Sequence, residues 1–256
     1  MRRAGFRSRA AGGRSSNSVS LAVAPGELVA LCGPNGAGKS SLLAVLAGEL
    51  RPGAGEARLD GRPLATLGPG ALARERAILE QAPTLAAPFT VSELVGLGMS
   101  LVARADVDEA AIRSRALAAA GVADLAGRGA DRLSGGERAR AHLARVLAQL
   151  WAGRAAGGGR YLLLDEPTAS LDIAHQLVVM RAARAEVRAG AGVLCVLHDL
   201  NLAAGFADRA ALMQAGRIVA AGPPVEVLRA DRLSEVYGSP LAVEQTTRGL
   251  RVFSEF

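Results

Sequence analysis

The stretch Gly33-Pro34-Asn35-Gly36-Ala37-Gly38-Lys39-Ser40 decides the fold of this chain. It has the pattern G-x-x-x-x-G-K-S, a glycine-rich loop whose backbone N–H groups cradle phosphates at the start of a helix. An apolar run at 27–32 precedes the loop and a helical pattern at 39–50 follows it, which is the context that the motif requires. The motif predicts that the chain binds a nucleoside triphosphate. The predicted site comprises Gly33, Pro34, Asn35, Gly36, Ala37, Gly38, Lys39, Ser40 and Ser41.

Lys39 is the only lysine of the chain, although Lys and Arg together number 30. Arginine ends in a rigid planar fork, whereas lysine carries a compact charge on a flexible stem that can reach between phosphates. A chain that uses arginine at every other basic position has kept lysine at this one. The retained lysine favours a functional phosphate site over a glycine-rich turn that merely starts a helix, with Lys39 on the outer phosphates and the Ser40 hydroxyl on Mg2+.

Composition and length limit the classes of protein that remain. The chain has 256 residues, is 50% hydrophobic and only 3% aromatic, and carries a net charge of +6. Its arginines are scattered singly beyond the first few residues, so we expect no nucleic-acid partner. No apolar stretch approaches the roughly 20 residues of a membrane helix. We therefore expect a soluble cytoplasmic chain that meets a membrane only through a partner, with Cys32 and Cys195 buried in a reducing compartment.

Strands and helices alternate along the chain, which predicts an α/β fold with a parallel sheet and helices on both faces. Residues 1–16 are rich in Arg, Gly and Ser and are expected to lack regular structure. Helices are predicted at 71–79, 90–103, 107–120 and 134–151, so that the region 88–150 is helical and without a strand. Further predicted elements are strands at 161–164 and 193–197, a helix at 173–189, a helix from Asn201, a strand pair at 210–214 and 217–221, and a helical tail.

A second motif, Tyr161-Leu162-Leu163-Leu164-Asp165-Glu166, places two carboxylates at the end of an apolar strand. Ligands of α/β folds bind at this edge of the sheet. Asp165 can then hold Mg2+, and Glu166 can accept a proton from an attacking water. Two adjacent acids after a strand are commonly just a solvated strand end, but the upstream phosphate loop favours the catalytic interpretation.

A third motif, Leu133-Ser134-Gly135-Gly136-Glu137, opens a helix within the helical region. Ser134 and Glu137 have the spacing of a capping box, and glycines before a helix make an anion site. The chain thus carries two phosphate-binding helix ends but one lysine. A simple explanation is that the second site serves the nucleotide of another copy of the chain.

Together, these motifs resemble those of the ATP-binding subunits of ABC transporters over residues 19–237. The signature at 133–137 followed by the strand and acids at 161–166 is a very specific pairing. Three further elements match the family: Gln81, the tripeptide Ser170-Leu171-Asp172, and His198 directly after the apolar run at 193–197.

The resemblance implies the fold of a P-loop NTPase of the ABC type, a RecA-like core with an α-helical subdomain at about 88–150 and an antiparallel β edge. It implies one such domain over 1–256. It also implies a homodimer, in which ATP and Mg2+ lie between the phosphate loop of one copy and the signature of the other. Ser134 and Gly136, with Gly135 and Glu137, would then contact the nucleotide of the second copy, and Asp172 would couple the two sites.

The same resemblance assigns roles to the remaining polar residues. Gln81 senses Mg2+ and water and relays the state of the site to a membrane partner. His198 holds the γ-phosphate and positions Glu166. The implied catalytic set is Glu166, His198, Gln81 and Lys39, and the implied metal ligands are Ser40, Gln81 and Asp165.

Within the family, the chain is most similar to importers of iron chelates, haem and cobalamin. The segment Leu197-His198-Asp199-Leu200-Asn201-Leu202-Ala203-Ala204 and the segment at 216–224 resemble the corresponding segments of that group, and the connector before Tyr161 is similar to that of hemin import subunits. The resemblance implies a permease dimer as partner, a periplasmic or surface substrate-binding protein that acts through the permease, and a peripheral position on the cytoplasmic face of the cell membrane. Ferric siderophore or cobalamin import, and an ATPase of iron–sulfur assembly, are the alternatives.

The chain also departs from the family pattern. Most relatives begin with an apolar strand and an aromatic residue that stacks on adenine, and residues 1–18 offer neither. Ala11 falls near the aromatic position. Glu80 and Arg138 stand where Pro and Gln are more usual, but neither change removes a catalytic group.

Overall fold

The computed structural model describes residues 6–11, 18–81, 88–102, 107–247 and 249–255. Its strands are β1 Phe6–Ala11, β2 Ser18–Val23, β3 Leu28–Cys32, β4 Gly55–Leu59, β5 Arg62–Pro63, β6 Arg76–Leu79, β7 Tyr161–Asp165, β8 Gly192–Val196, β9 Arg209–Gln214, β10 Arg217–Gly222, β11 Leu241–Thr246 and β12 Gly249–Ser254. Its helices are α1 Lys39–Ala47, α2 Pro69–Glu75, α3 Val91–Leu97, α4 Glu109–Ala119, α5 Gly135–Ala155, α6 Ile173–Arg188, α7 Leu200–Phe206, α8 Pro224–Val227 and α9 Ala230–Tyr237.

The chain forms two compact units. The first consists of Met1–Thr66 and Gly192–Phe256, and the second of Leu67–Ala191. The first unit contains the glycine-rich loop and His198, and the second contains Gln81, the signature and the two carboxylates.

A largely parallel sheet forms the core of the first unit. Strand β3 pairs in parallel with β8 on one side and with β9 on the other, and β10 joins β9 in antiparallel fashion at the edge. All five residues of β3 and of β8 are buried. Continuous apolar strands of this kind are typical of parallel sheets covered on both faces. The predicted α/β class is confirmed, and so is the burial of Cys32 and Cys195.

The first unit also contains an antiparallel sheet, in the order β2-β1-β4-β5. Strand β1 corrects the expectation that residues 1–16 lack regular structure, because Phe6–Ala11 pairs with β2 on one side and β4 on the other. It equally corrects the expectation that residues 1–18 offer no strand. The sequence of β1 shows no apolar alternation, and its strand state follows from the two partners that satisfy its backbone groups. Residues 1–5 and 12–16 lie outside the described part of the chain.

The end of the chain differs from the predicted helical tail. Helices α8 and α9 fulfil the prediction, but an antiparallel hairpin of β11 and β12 follows them. Only Val252 of β12 is buried, so the hydrophobic alternation that marks a half-buried strand is weak in this segment.

In the second unit, β6 pairs in parallel with β7. The helix predicted at 71–79 is wrong over its second half, because α2 ends at Glu75 and β6 begins at Arg76. Donors distant in sequence bond the last carbonyls of α2. The Gln149 amide donates to the Ala73 carbonyl oxygen of α2 and to the Arg76 carbonyl oxygen directly after it. The Gly159 N–H donates to the Arg74 carbonyl oxygen. A helix ends readily where its terminal carbonyls find other partners.

The predicted helical region is confirmed over its described residues, where α3, α4 and α5 lie and the only extended pairing is an isolated bridge between Thr90 and Gly129. The predicted capping box opens α3: the Thr90 N–H donates to Glu93, and the Glu93 N–H donates to the Thr90 hydroxyl. Helix α3 ends at Leu97, earlier than predicted. Among the described helices, none combines the length and the apolar character that crossing a membrane demands.

A buried polar cluster joins α5 to α6 in the second unit. Glu186 is 3% exposed, and its carboxylate accepts hydrogen bonds of 2.8 Å from the Trp151 indole and of 2.8 Å from Arg154. On α4, the Arg115 guanidinium lies 4.1 Å from the centre of the Trp151 ring, a cation–π contact. Three helices are thus held through one carboxylate and one aromatic ring.

We expect Glu186→Ala to destabilise the chain by about 2–3 kcal/mol, because the Trp151 N–H loses its partner in a buried place and Arg154 loses its charge pair. Urea unfolding would measure the change in the free energy of unfolding. The matched control is Glu56→Ala, which breaks the exposed pair with Arg58 on β4 and should cost no more than about 1 kcal/mol. Equal losses for the two variants would contradict the assignment of a structural role to Glu186.

Candidate functional site

The glycine-rich loop connects β3 to α1 through a backbone that other residues could not adopt. Gly33 has φ 145°, and a Cβ atom placed on it would lie 2.1 Å from the backbone oxygen of Met213 on β9. Gly38 has φ 96° and directly precedes α1. Glycine is therefore required at both positions for different reasons, close approach at Gly33 and a left-handed conformation at Gly38.

The loop holds its lysine inward. Lys39 is 5% exposed, and its ammonium donates hydrogen bonds to the carbonyl oxygens of Gly33 at 2.8 Å and Pro34 at 3.0 Å. Among the described residues, no side chain caps the N-terminus of α1. A helix start without a cap leaves N–H groups and the positive end of the helix dipole for an anion. The predicted phosphate site is thus formed as a loop, an ammonium and a helix end, with Ser40 and Ser41 in the first turn of α1.

Two buried groups lie against the base of this loop. Burial raises the pKa of the Cys32 thiol to about 12, with a smaller opposing effect from the charge of Lys39. Burial likewise raises the pKa of the Tyr237 phenol, and the neighbouring Cys32 adds to the effect. Both groups therefore stay protonated at physiological pH, so Cys32 is a packing residue rather than a nucleophile.

His198 lies in the same unit, two residues beyond the end of β8. Its side chain is exposed, and Asp199 after it caps α7 by accepting from the N–H groups of Asn201 and Leu202. The position after a buried parallel strand agrees with the sequence prediction. Because β8 lies beside β3, His198 and the phosphate loop both follow neighbouring strands at the same end of the sheet.

In the second unit, Asp165 and Glu166 end β7 as predicted. Asp165 is 8% exposed, and Glu166 adopts φ 48°, a left-handed conformation that is costly for a residue other than glycine. The Gln81 amide donates a hydrogen bond of 2.7 Å to the Glu166 carboxylate. The structure thus joins a glutamine and a glutamate that lie 85 residues apart in the sequence.

The signature begins α5 with the predicted capping box. The Ser134 N–H donates to the Glu137 carboxylate at 2.7 Å, and the Glu137 N–H donates to the Ser134 hydroxyl at 3.3 Å. The bond from the Ser134 backbone lowers the pKa of Glu137, and the Ser134 hydroxyl and Arg128 add to the effect. Glu137 is therefore ionised and acts on the helix cap.

The two signature glycines differ in their surroundings. A Cβ atom on Gly136 would lie 3.2 Å from the Leu171 side chain, whereas one on Gly135 would meet nothing within 4 Å. The signature helix thus packs closely on the tripeptide Ser170-Leu171-Asp172 at Gly136. Gly135 lies on an open side.

Asp172 is the N-cap of α6. Its carboxylate accepts from the His175 N–H at 2.8 Å and lies 2.9 Å from the His175 imidazole. These contacts, the backbone bond first, lower the pKa of Asp172. The contact with His175 was not predicted from the sequence; the Asx-x-x-His spacing at the start of a helix is a signal that could have found it.

A cavity of about 320 Å3 lies wholly within the second unit. Its lining includes Gln81, Gly135, Arg138, His142, Asp165 and Glu166. The structure therefore brings the start of the signature helix and the two carboxylates to one cavity, together with Gln81.

His142, which belongs to none of the sequence motifs, is buried at the edge of that cavity. It is 2% exposed, and neither ring nitrogen has a hydrogen-bond partner among the described residues. Burial lowers its pKa to about 4, and Arg145 and Arg138 add to the effect. The imidazole is therefore neutral at physiological pH, which agrees with a packing role.

Comparison with known sequences places the chain in one family. A sequence model described as ABC transporter matches residues 16–169. The hemin import ATP-binding protein HmuV of Nocardia farcinica is 52% identical over 233 residues, which are 90% of this chain and 78% of that protein. The protein of the same name from Rhodopseudomonas palustris strain CGA009 is 48% identical over 90% of this chain and 85% of its own length.

Solved structures show the same fold. An inward-facing ABC transporter described as of the metal-chelate type superposes with a TM-score of 0.80 at 21% identity, over 100% of this chain and 98% of its own. A dimeric bacterial ABC transporter cassette superposes with a TM-score of 0.71 at 25% identity, over 86% of this chain and 98% of its own. The sequence model spans more than half of the chain, and relatives that are 48% and 52% identical align with nine-tenths of it. This chain therefore belongs to the ABC transporter family.

Proposed function

We propose that this chain is the ATP-hydrolysing subunit of an importer that carries hemin. The observation that carries the proposal is an identity of 46–52% over most of the chain with relatives that are named hemin import ATP-binding proteins. The contact of Gln81 with Glu166 at the end of β7 supports hydrolysis, because it holds a carboxylate and an amide together in one cavity.

In the proposed reaction, the glycine-rich loop binds the phosphates of ATP. Its Lys39 ammonium, which now bonds to the loop carbonyls, turns to the β- and γ-phosphate oxygens. The uncapped start of α1 adds N–H donors and the helix dipole. The burial of Lys39 strengthens its attraction to phosphate, because little water screens the charge.

Hydrolysis needs a water placed in line with the γ-phosphorus and a group that takes its proton. Glu166 accepts that proton as the water oxygen bonds to phosphorus, and the bond to the ADP oxygen breaks. The Gln81 amide orients the Glu166 carboxylate through the observed hydrogen bond and can also hold the water. His198 contacts the γ-phosphate oxygens and stabilises the charge that develops on them.

The polar groups at the end of β7 and in the loop are of the kinds that bind a magnesium ion. Mg2+ prefers oxygen ligands, and it is usually held by one or two carboxylates with substrate phosphates and water. Asp165, the Ser40 hydroxyl and the Gln81 carbonyl oxygen would supply such ligands. No cluster of three or more His, Cys, Asp or Glu side chains suited to a metal occurs in the part of the chain described here, which agrees with an ion held largely by the nucleotide. Bound Mg2+ neutralises part of the phosphate charge.

A second copy completes the proposed site. Ser134, Gly135 and Gly136 would face the γ-phosphate of ATP on the partner copy, with Glu137 holding the helix cap in shape. Gly135 has open space where a phosphate oxygen could approach, and Gly136 packs on Leu171, next to Asp172. This arrangement would tell one copy, through Asp172, whether the nucleotide of the other is bound.

The proposed assembly is a homodimer of this chain on a permease dimer, peripheral to the cytoplasmic face of the membrane. A similar cassette is dimeric in its solved structure. Hemin would reach the permease from a periplasmic or surface substrate-binding protein, and the closure of the ATPase dimer on ATP and its opening after hydrolysis would drive the permease between two states.

We expect Glu166→Gln to lower the rate of ATP hydrolysis by at least about 100-fold while leaving ATP affinity close to that of the unmodified chain. The amide keeps the shape of the carboxylate but cannot take a proton. A phosphate-release assay and equilibrium binding of ATP would measure the two quantities. Glu56→Gln, at an exposed position of β4, is the matched control and should hydrolyse ATP normally. Full activity of Glu166→Gln would remove Glu166 from the reaction.

We expect the complex of this chain with its permease, isolated from native membranes and reconstituted in vesicles, to hydrolyse ATP faster when hemin-loaded substrate-binding protein is added. Transport of hemin into the vesicles should follow the ATPase rate. Substrate-binding proteins loaded with cobalamin or a ferric siderophore are the controls. Stimulation by one of these alone would contradict hemin as the substrate, and copurification with a soluble partner in place of a permease would contradict the transport function.

A further inference from the structure

The side chain of Asn201 fastens the C-terminal hairpin to the helix that follows His198. The Asn201 amide nitrogen donates to the Val252 carbonyl oxygen at 3.0 Å, and the Val252 N–H donates to the Asn201 amide oxygen at 2.9 Å. Asn201 is the second residue of α7, and Val252 lies in the middle of β12. Both residues belong to the first unit.

The two bonds show how the hairpin presents its edge to α7. In an antiparallel pair, the N–H and C=O of one residue point to the same side. Val252 lies opposite Val243 of β11, yet both of its backbone groups bond to Asn201. Val243 and Val252 therefore form a non-hydrogen-bonded pair of the hairpin. The Asn201 amide bonds to the outer edge of β12, where a neighbouring strand would otherwise pair.

Only a carboxamide satisfies this edge. It offers one acceptor and one donor in the same spatial relation as a peptide group. A carboxylate would accept from the Val252 N–H but repel the Val252 carbonyl, and an aliphatic side chain of equal size would leave both groups without a partner. The two observed bonds also fix which amide atom is oxygen and which is nitrogen.

The same short segment carries His198. His198 is followed by Asp199, whose carboxylate accepts from the Asn201 N–H at 2.7 Å and from the Leu202 N–H at 3.1 Å. The start of α7 is thus tied by Asp199 within the helix and by Asn201 to the hairpin. On its other side, Leu200, Leu202 and Ala203 are buried against the core. The exposed His198 side chain therefore extends from a backbone that is held from three directions.

We propose that Asn201 is a positioning residue for ATP hydrolysis, which fixes the backbone that carries His198 by clamping α7 to the C-terminal hairpin. The inference rests on the proposed role of His198 at the γ-phosphate. The hairpin then contributes to the reaction, because the Asn201 side chain is held by the backbone of β12. A misplacement of a reacting group by about 1 Å can lower a rate by about 100-fold. The clamp therefore acts on the chemical step. It does not affect the conformation of the phosphate loop, which precedes α1.

The test compares Asn201→Leu and Asn201→Asp with the unmodified chain, each in the complete complex with the permease. We expect both to lower kcat by about tenfold with little change in the affinity for a non-hydrolysable ATP analogue. Hydrogen exchange at the Val252 amide should become faster in Asn201→Leu, where its acceptor is gone, and stay slow in Asn201→Asp, where the carboxylate still accepts. A purely structural role would instead shift the melting temperature and leave kcat unchanged.

A second set of variants keeps the test open if those at position 201 fold poorly. Val252→Pro removes the N–H that donates to Asn201 and sacrifices no bond to β11, because that N–H lies on the outer edge. Val252→Ala is its matched control, which loses side-chain packing but keeps both backbone groups. Gly205→Ala alters α7 at an exposed position with open space and is the control for the helix itself. We expect Val252→Pro to lower kcat more than Val252→Ala, and Gly205→Ala to keep the unmodified kcat.

Two outcomes would overturn the proposal: an unmodified kcat in folded Asn201→Leu and Asn201→Asp, or an equal loss of kcat in Val252→Pro and Val252→Ala. The unmodified complex separates this result from a failure of the proposed function. If it does not hydrolyse ATP, the proposed function is wrong; if it does and the variants match it, only the role of Asn201 is wrong.

Discussion

The close approach of Gly33 to the backbone of Met213 is the constraint on which the first unit depends. Strand β9 lies beside β3, so the chain that leaves β3 must turn against β9 without any side chain in between. The turn between β9 and β10 adds a bond from the Gly216 N–H to the Ala37 oxygen at 3.0 Å. The phosphate loop is therefore held from the side of the sheet, and its inner carbonyls are free of β-pairing and can hold the Lys39 ammonium.

A different constraint applies to the second unit. Its polar groups lie at the ends of helices and strands and must be held in place there. Caps do most of this: Thr90 and Glu93 for α3, Ser134 and Glu137 for α5, and Asp172 for α6. Each cap also fixes a charge, since hydrogen bonds from backbone N–H groups lower the pKa values of Glu93, Glu137 and Asp172. Glu93, Glu137 and Asp172 are thereby kept ionised by local structure, whereas His142 is kept neutral by burial.

Features that depend on residues close in sequence, such as helix caps, were predictable from the sequence. Strands that depend on pairing with distant segments were not. The capping boxes at Thr90 and Ser134 were predictable because their partners lie three residues away. Strand β6 was predicted as helix because its strand state depends on pairing with Tyr161–Asp165 and on donors such as Gln149, far along the chain. Strand β1 and the hairpin of β11 and β12 were missed for the same reason. In the site, Lys39, Asp165 and Glu166 were predictable from motifs in the sequence. Gln81 and His198 were identified only through the family resemblance, and the hydrogen bond between Gln81 and Glu166 was not predicted.

Trp151 gives the second unit a property that the first unit lacks. It is the only tryptophan of the chain, it is buried, and it touches Glu186 on one side and Arg115 on the other. Indole emission depends on the polarity around the ring and on nearby charges. The tryptophan fluorescence of this protein therefore reports on α4, α5 and α6 alone. A change in emission that precedes the loss of total helix signal during heating would show that the second unit melts before the first.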